Sequence, residues 1–230
     1  MKNQKLFIRV LPWIVSFLTP LVILMIAIRV LIVPSYVQFA YRLPNFPADP
    51  YGFSFEERIR WSQPSIAYLV NNEDISYLVD LTFESGEPIY NARELVHMED
   101  VKEVVTGMRI ALAIAMVILL VITLLAVRGR WTQRLLMAFN LGGWGMIGII
   151  VAILLFVAIN FNTLFTWFHR VFFEEGTWQF HPSDTLIRLF PMRFWQDAFI
   201  LVGVISLLIA GLILFATRQR LPEDNKKGGF

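Results

Sequence analysis

The sequence predicts an all-α membrane protein: a four-transmembrane-helix bundle carrying an extracytoplasmic cap of short helices and a small β-hairpin. Three observations lead there. Hydrophobic residues make up 57% of the 230-residue chain, against roughly 45–50% in soluble domains, and its mean hydropathy is +0.60. These residues gather in four blocks, about 10–33, 108–127, 138–159 and 199–217, each able to supply the ~20 apolar residues that cross a bilayer. The cations crowd the ends of those blocks instead of being spread along the chain.

The first block follows Lys2, Lys5 and Arg9. It is too long for the apolar core of a secretory signal and no small-x-small cleavage site follows it, so it reads as a retained anchor. Arg128, Arg130 and Arg134 fill the short second connection, and Arg218, Arg220, Lys226 and Lys227 follow the last block, opposed only by Glu223 and Asp224. Because cytoplasmic loops carry the excess of Lys and Arg, both termini and this connection are expected inside, and segments 34–107 and 160–198 outside. The expected organisation is one membrane domain over 1–230 with a cytoplasmic tail from 218, disordered after Leu221.

The outer segments carry order signals of their own. Ser54-Phe55-Glu56-Glu57 is a capping-box pattern that starts a helix running toward Trp61, which Pro64 is expected to interrupt. Asp80 to Tyr90, with Gly86 at the turn, has a weak hairpin pattern. Asn91-Ala92-Arg93-Glu94 repeats the cap logic and starts a helix that can run straight into the second block. On it Glu94, His97, Val101, Val104 and Met108 share one face. The aromatic run from Asn160 to Phe173, containing His169 and Arg170, reads as a short helix in the membrane interface. Ser183 or Asp184 can cap a turn through Leu189, and Pro191 suits the first position of a helix carrying Trp195 into the fourth block.

His97 and His169 are thus expected on the same side of the membrane, close enough to meet. Imidazole, with an unperturbed pKa of ~6.5, suits proton transfer near neutral pH; either ring could equally be a structural histidine satisfied by a carboxylate or carbonyl. Arg29, at the outer end of the first block, invites pairing with an acid or a lipid phosphate, with snorkelling to the surface as the other reading. Arg93, Arg170, Arg188 and Arg193 can serve a site or merely flank the spans, and His181, beside Pro182, reads as a loop residue. Gly142, Gly143, Gly145 and Gly148 form a small-residue face suited to close helix packing.

Several function classes drop out. Without cysteine there are no disulfides, thiolate metal sites or cysteine nucleophile. No Gly-x-Ser-x-Gly elbow, phosphate-cradling loop or His-Glu-x-x-His is present, so an enzyme of this sequence would draw its nucleophile from the substrate. No cofactor or metal is expected. The basic clusters have a topological explanation and give no support to nucleic-acid binding.

Arg93-Glu94-Leu95-Val96-His97-Met98-Glu99-Asp100-Val101-Lys102, then Phe168-His169-Arg170-Val171-Phe172-Phe173, Trp178-Gln179-Phe180 and Asp184 through Pro191 together resemble the bacterial lipoprotein intramolecular transacylase family. The resemblance covers essentially the whole chain, and the order and separation of the motifs make it specific. It implies a plasma-membrane enzyme that moves the sn-2 acyl chain of a diacylglyceryl-cysteine lipoprotein from its glycerol ester to the cysteine α-amino group. It also implies His97 and His169 as the catalytic residues. Arg93, Glu94, Arg170, Arg188 and Arg29 are the candidates for substrate binding. The partners expected are a diacylated lipoprotein and membrane lipids, and the chain is expected to act as a monomer. A nonenzymatic accessory or sensor, binding a partner through its outer segments, is the competing reading.

Overall fold

The computed structural model describes residues 2–220, with the side chains of 9–220; the tail after Leu221, expected to be disordered, lies outside the described residues. In chain order the helices are α1 (Lys2–Leu31), α2 (Pro34–Tyr41), α3 (Phe55–Tyr68), α4 (Ser76–Val79), α5 (Ala92–Arg128), α6 (Thr132–Phe172), α7 (Thr185–Leu189) and α8 (Met192–Arg218). Four of them, α1, α5, α6 and α8, are long and apolar enough to cross a membrane. Their uncharged stretches fall at 10–28, 110–127 and 198–217, and in α6 at 135–159 as far as the kink at Asn160, close to the ~30 Å of hydrocarbon that ~20 helical residues traverse. Phe17 is 69% exposed, Val117 59%, Leu155 59% and Leu212 68%, apolar exposure that a soluble protein would hide and lipid tails accept. This is a multi-pass membrane protein.

The described residues divide into two compact units, one from 2–28, 110–155 and 201–220, the other from 29–109 and 156–200. The first holds two apolar clusters. Val15, Ile122, Ala126, Leu135 and Ala138 join α1, α5 and α6, while Ile23, Met146, Ile150 and Ala210 join α1, α6 and α8. Helices gain little hydrophobic attraction for one another in lipid, so close backbone approach and hydrogen bonds carry more of the association. A Cβ on Gly142 would lie 2.6 Å from the Thr19 Cβ and 3.0 Å from the Ser16 carbonyl oxygen. That carbonyl would ordinarily bond residue 20, but Pro20 has no N–H. Ser16 donates to the Ala138 carbonyl at 3.1 Å, and the Asn140 amide donates to the Thr217 hydroxyl at 2.9 Å. A Cβ on Gly143 would meet Leu214. The small-residue face is therefore a packing face only at Gly142 and Gly143, since Gly145 and Gly148 have open space beside them.

The second unit is built from loop-borne short helices and the polar ends of the long ones. Ser54 and Glu57 form the expected capping box at α3. The helix passes through Pro64 to Tyr68 instead of stopping. Ser62 and Ser65 each donate to the carbonyl four residues back, those of Arg58 and Trp61, so the helix continues although Pro64 lacks the N–H that would have bonded the Arg60 carbonyl. The expected hairpin is reduced to a single antiparallel bridge between Thr82 and Pro88, with Gly86 at φ +86° in its turn. α6 changes direction at Asn160, whose backbone is extended and whose side chain accepts from Thr163 N at 3.1 Å. The aromatic run is consequently its own capped helical segment. Pro191 lies one residue before α8, where its carbonyl accepts from Phe194 N at 2.8 Å.

Charge holds this unit together at one buried point. Arg188 donates through Nε and Nη2 to Asp49 Oδ2 at 3.0 and 2.9 Å, with its guanidinium 3.3 Å from the Phe53 ring centroid. Burial raises the Asp49 pKa, but the Arg188 bonds, the Phe53 and Tyr51 N–H groups and the guanidinium charge outweigh it and hold the carboxyl below its usual 3.8. Nearby, Arg58 is 5% exposed, stacked over Tyr41 and donating to the Pro47 carbonyl at 2.8 Å.

Two outcomes follow for stability. Gly142→Val overpacks the α1–α6 contact and should cost about 1–3 kcal/mol, read as a lowered unfolding temperature in detergent, whereas Gly145→Ala should be neutral. Asp49→Ala strands Arg188 and should cost about 3–5 kcal/mol. Because the folded Asp49 pKa is depressed, its stabilisation is complete above about pH 4 and is lost as pH falls through the folded value. Thermal unfolding against pH should therefore show a shallower acid limb in Asp49→Ala than in the parent.

Candidate active site

The second unit brings the two sequence-singled histidines together. At the start of α5, Asn91 Oδ1 accepts from the backbone N–H of Arg93 and Glu94 at 3.0 and 3.1 Å, and Glu94 Oε2 accepts from Asn91 N at 2.8 Å. The other Glu94 oxygen accepts from Leu186 N, in α7, at 2.6 Å. Glu94 is 1% exposed. Burial raises its pKa, and the N–H bonds from Leu186 and Asn91 only partly offset the rise. His97 follows one turn later, so the register of its helix is set by a carboxylate bonded on both sides.

His169 comes from the capped segment beginning at Asn160. Its Nδ1 lies 2.8 Å from the Phe165 carbonyl oxygen. A carbonyl can only accept, so Nδ1 carries the proton and Nε2 the lone pair. The two imidazole centroids are 6.1 Å apart with planes 22° from parallel, and each residue is 8% exposed. Phe173 and Phe180 pack edge-on against His97 at 5.0 and 5.4 Å. Phe165 and Trp178 cover His169 at 4.1 and 4.8 Å. His97 Nδ1 is buried with no hydrogen-bond partner, an uncommon state for a polar atom and one that favours a role in binding or chemistry.

Both histidines lie outside the spanning stretches 110–127 and 135–159. Burial, and then the adjacent His169, push the His97 pKa down to about 4. Burial also lowers His169, against the opposing effect of its bond to Phe165. At neutral pH the pair is uncharged, buried and walled by aromatic rings. Two such imidazoles can accept a proton at one nitrogen and donate one at another.

The remaining candidates stand at different distances from this chemistry. Arg93 is half exposed and lies 3.6 Å from Asp184. Arg170, next to His169, is exposed and 3.8 Å from Glu175. Arg188 is committed to Asp49, and Arg29 donates to the Ile32 carbonyl at 3.2 Å, closing the end of α1. Arg193 pairs with Asp197 at 2.9 Å. His181 sits in the loop, its backbone N–H bonded to Asp184 at 2.8 Å. Sequence reasoning did not single out Asp49, or Trp178, Phe173 and Phe180 as walls of the site. Asp49-Pro50 in a Pro-rich turn was the available signal for the first; nothing in periodicity could place the aromatic rings over the imidazoles.

The fold has known counterparts. The chain is 28% identical over 207 residues, 88% of its length and 90% of the relative's, to an uncharacterized protein of Aquifex aeolicus. Its fold matches the in meso structure of the membrane-integral lipoprotein intramolecular transacylase Lit from Bacillus cereus, with a TM-score of 0.73 at 18% identity, covering 96% of this chain and 99% of that one. A variant of the Bacillus cereus protein with one histidine replaced by arginine matches with a TM-score of 0.72 at 19% identity, covering 95% and 93%. At these identities the solved structures speak for the fold alone. The family model is the broader finding, since it matches residues 13–195, and on that match the chain belongs to the lipoprotein intramolecular transacylase Lit family.

Proposed function

We propose that the His97–His169 pair is the catalytic centre at which this transacylase moves the sn-2 acyl chain of a diacylglyceryl-cysteine lipoprotein onto the cysteine α-amino group. The observation that carries the reading is the pair itself: two neutral imidazoles 6.1 Å apart, one with an oriented proton-accepting nitrogen and the other with an unpartnered one. Amine and ester belong to one molecule, so folding the lipid headgroup between the rings makes the attack intramolecular, a condition worth effective molarities of ~10⁵–10⁸ M. No enzyme nucleophile is needed.

In this scheme the amine nitrogen attacks the sn-2 carbonyl carbon and gives up a proton to His169 Nε2. The N–H of His97 hydrogen-bonds the oxyanion of the tetrahedral intermediate. The bond from carbonyl carbon to glycerol oxygen then breaks, and that oxygen takes a proton from the imidazoles, leaving an amide, a free glycerol hydroxyl and an unchanged enzyme. The substrate α-amino group, with a reference pKa of ~7.7–8.0, is partly protonated at neutral pH and gains from an adjacent base. The Nδ1–H bond to Phe165 supports the base role of His169, because it fixes both tautomer and ring orientation.

Arg93 and Arg170, with exposed guanidiniums, are placed in our reading to meet polar and anionic groups of the lipoprotein. Glu94, Arg188 and Arg29 act on the substrate through the scaffold they hold. Positive charge at the flanks supports a topology with both termini in the cytoplasm and the histidines at the outer leaflet of the bacterial plasma membrane. Lipids line the spans, and a single copy suffices because both histidines come from one chain. The sensor alternative gains nothing from a buried, unpartnered imidazole.

The test is a mass-spectrometric comparison of the N-terminal lipopeptide from a diacylated lipoprotein incubated with the purified enzyme. Transfer leaves total mass and chain count unchanged while one chain becomes resistant to mild base. His97→Ala and His169→Ala should each slow this by roughly 10²–10⁴-fold while retaining the parental unfolding temperature to within a few degrees. A product heavier by one acyl chain, or undiminished transfer in either variant, would sink the scheme.

A further inference from the structure

The first unit carries a groove that the transfer chemistry does not use. It lies between α1 and α6, with a volume of about 420 Å³, and its walls include Arg9, Pro12, Trp13, Ser16, Arg134 and Met137. Along the same pair of helices Ser16 bonds the Ala138 carbonyl and Thr19 lies against Gly142. Arg9 lies on the α1 wall and Arg134 on the α6 wall. Among the described residues the arginines in ion pairs are Arg60, Arg93, Arg170, Arg188 and Arg193. Among the described residues neither groove arginine has a carboxylate to neutralise it. Trp13 is 68% exposed beside them, an amphipathic ring of the kind that settles at headgroup level.

We infer that this groove binds one anionic glycerophospholipid, with its phosphodiester between Arg9 and Arg134 and its glycerol and upper acyl carbons against Trp13 and Met137. Each guanidinium offers a planar fork of donors that matches two phosphate oxygens, and basic pockets between transmembrane helices are suited to acidic headgroups. The apolar wall asks for a lipid and not a free ion. The two positive charges select against a zwitterionic lipid, whose own ammonium they repel. The inference stands on the groove alone and does not depend on which residues carry out the acyl transfer.

Native mass spectrometry of the full-length protein, titrated in detergent with dioleoylphosphatidylglycerol or dioleoylphosphatidylcholine, decides it. The parent should retain one phosphatidylglycerol at least tenfold more strongly than phosphatidylcholine. Arg9→Gln with Arg134→Gln should abolish that preference while leaving lipopeptide transfer unchanged. Arg128→Gln with Arg218→Gln, which removes the same charge outside the groove, should keep it. Should the double groove variant fold poorly, the single Arg9→Gln and Arg134→Gln chains should each weaken retention about threefold or more. Equal retention of the two lipids by the parent, undiminished preference in the folded groove variants, or equal loss in the control pair would overturn the inference.

Discussion

The buried carboxylate of Glu94 is the constraint on which the rest of the site depends. One oxygen closes the cap on α5 and the other takes the Leu186 N–H of α7. An unsatisfied carboxylate at that depth would be too costly to keep, so the helix start and α7 are held in one register. His97, one turn along, inherits that register. The Thr185 hydroxyl reinforces the junction by donating to the Ile89 carbonyl at 2.7 Å, and Tyr90, just before the cap, donates to the Trp61 carbonyl at 3.1 Å. His169 is held differently, by the bend at Asn160 and the Phe165 carbonyl. Two independent local devices, each a few residues long, therefore deliver two imidazoles to one place.

How much of this is legible in the sequence depends on the range of the forces involved. Hydropathy blocks, flanking arginines and the capping boxes at Ser54 and Asn91 are local, and the structure reproduces the spans and both caps. The Asn160 to Phe173 run was also readable as a helical segment of its own, although the cap that Asn160 supplies was not. What failed was likewise local but marginal. Pro64 was expected to stop α3, yet the helix runs through it to Tyr68, forgoing only the one backbone bond that the missing N–H would have made. The 80–90 hairpin shrinks to one bridge because a short isolated pair of strands has little to stabilise it.

Long-range pairings were not legible. Asp49 and Arg188 are separated by most of the chain, and neither residue's surroundings hint at the other. The Gly142–Thr19 approach and the open space beside Gly145 and Gly148 look alike as sequence, since a glycine stripe does not say which of its members has a neighbour. The histidines were visible as a pair able to meet on one side of the membrane, and as catalytic candidates only through the family resemblance. Their burial, their 6.1 Å separation and the aromatic walls around them come from tertiary packing, and these features change the chemistry from two ordinary imidazoles to a neutral, buried pair.

The central claim is that His97 and His169 work as one unit on one substrate. Single-turnover transfer rates for the parent, His97→Ala, His169→Ala and the double variant test it most directly, with each chain's folding confirmed by thermal unfolding. Groups acting on the same proton movements are strongly non-additive. The double variant should be no slower than the worse single variant, within about threefold. Losses that multiply would mean two independent contributions and would contradict the account.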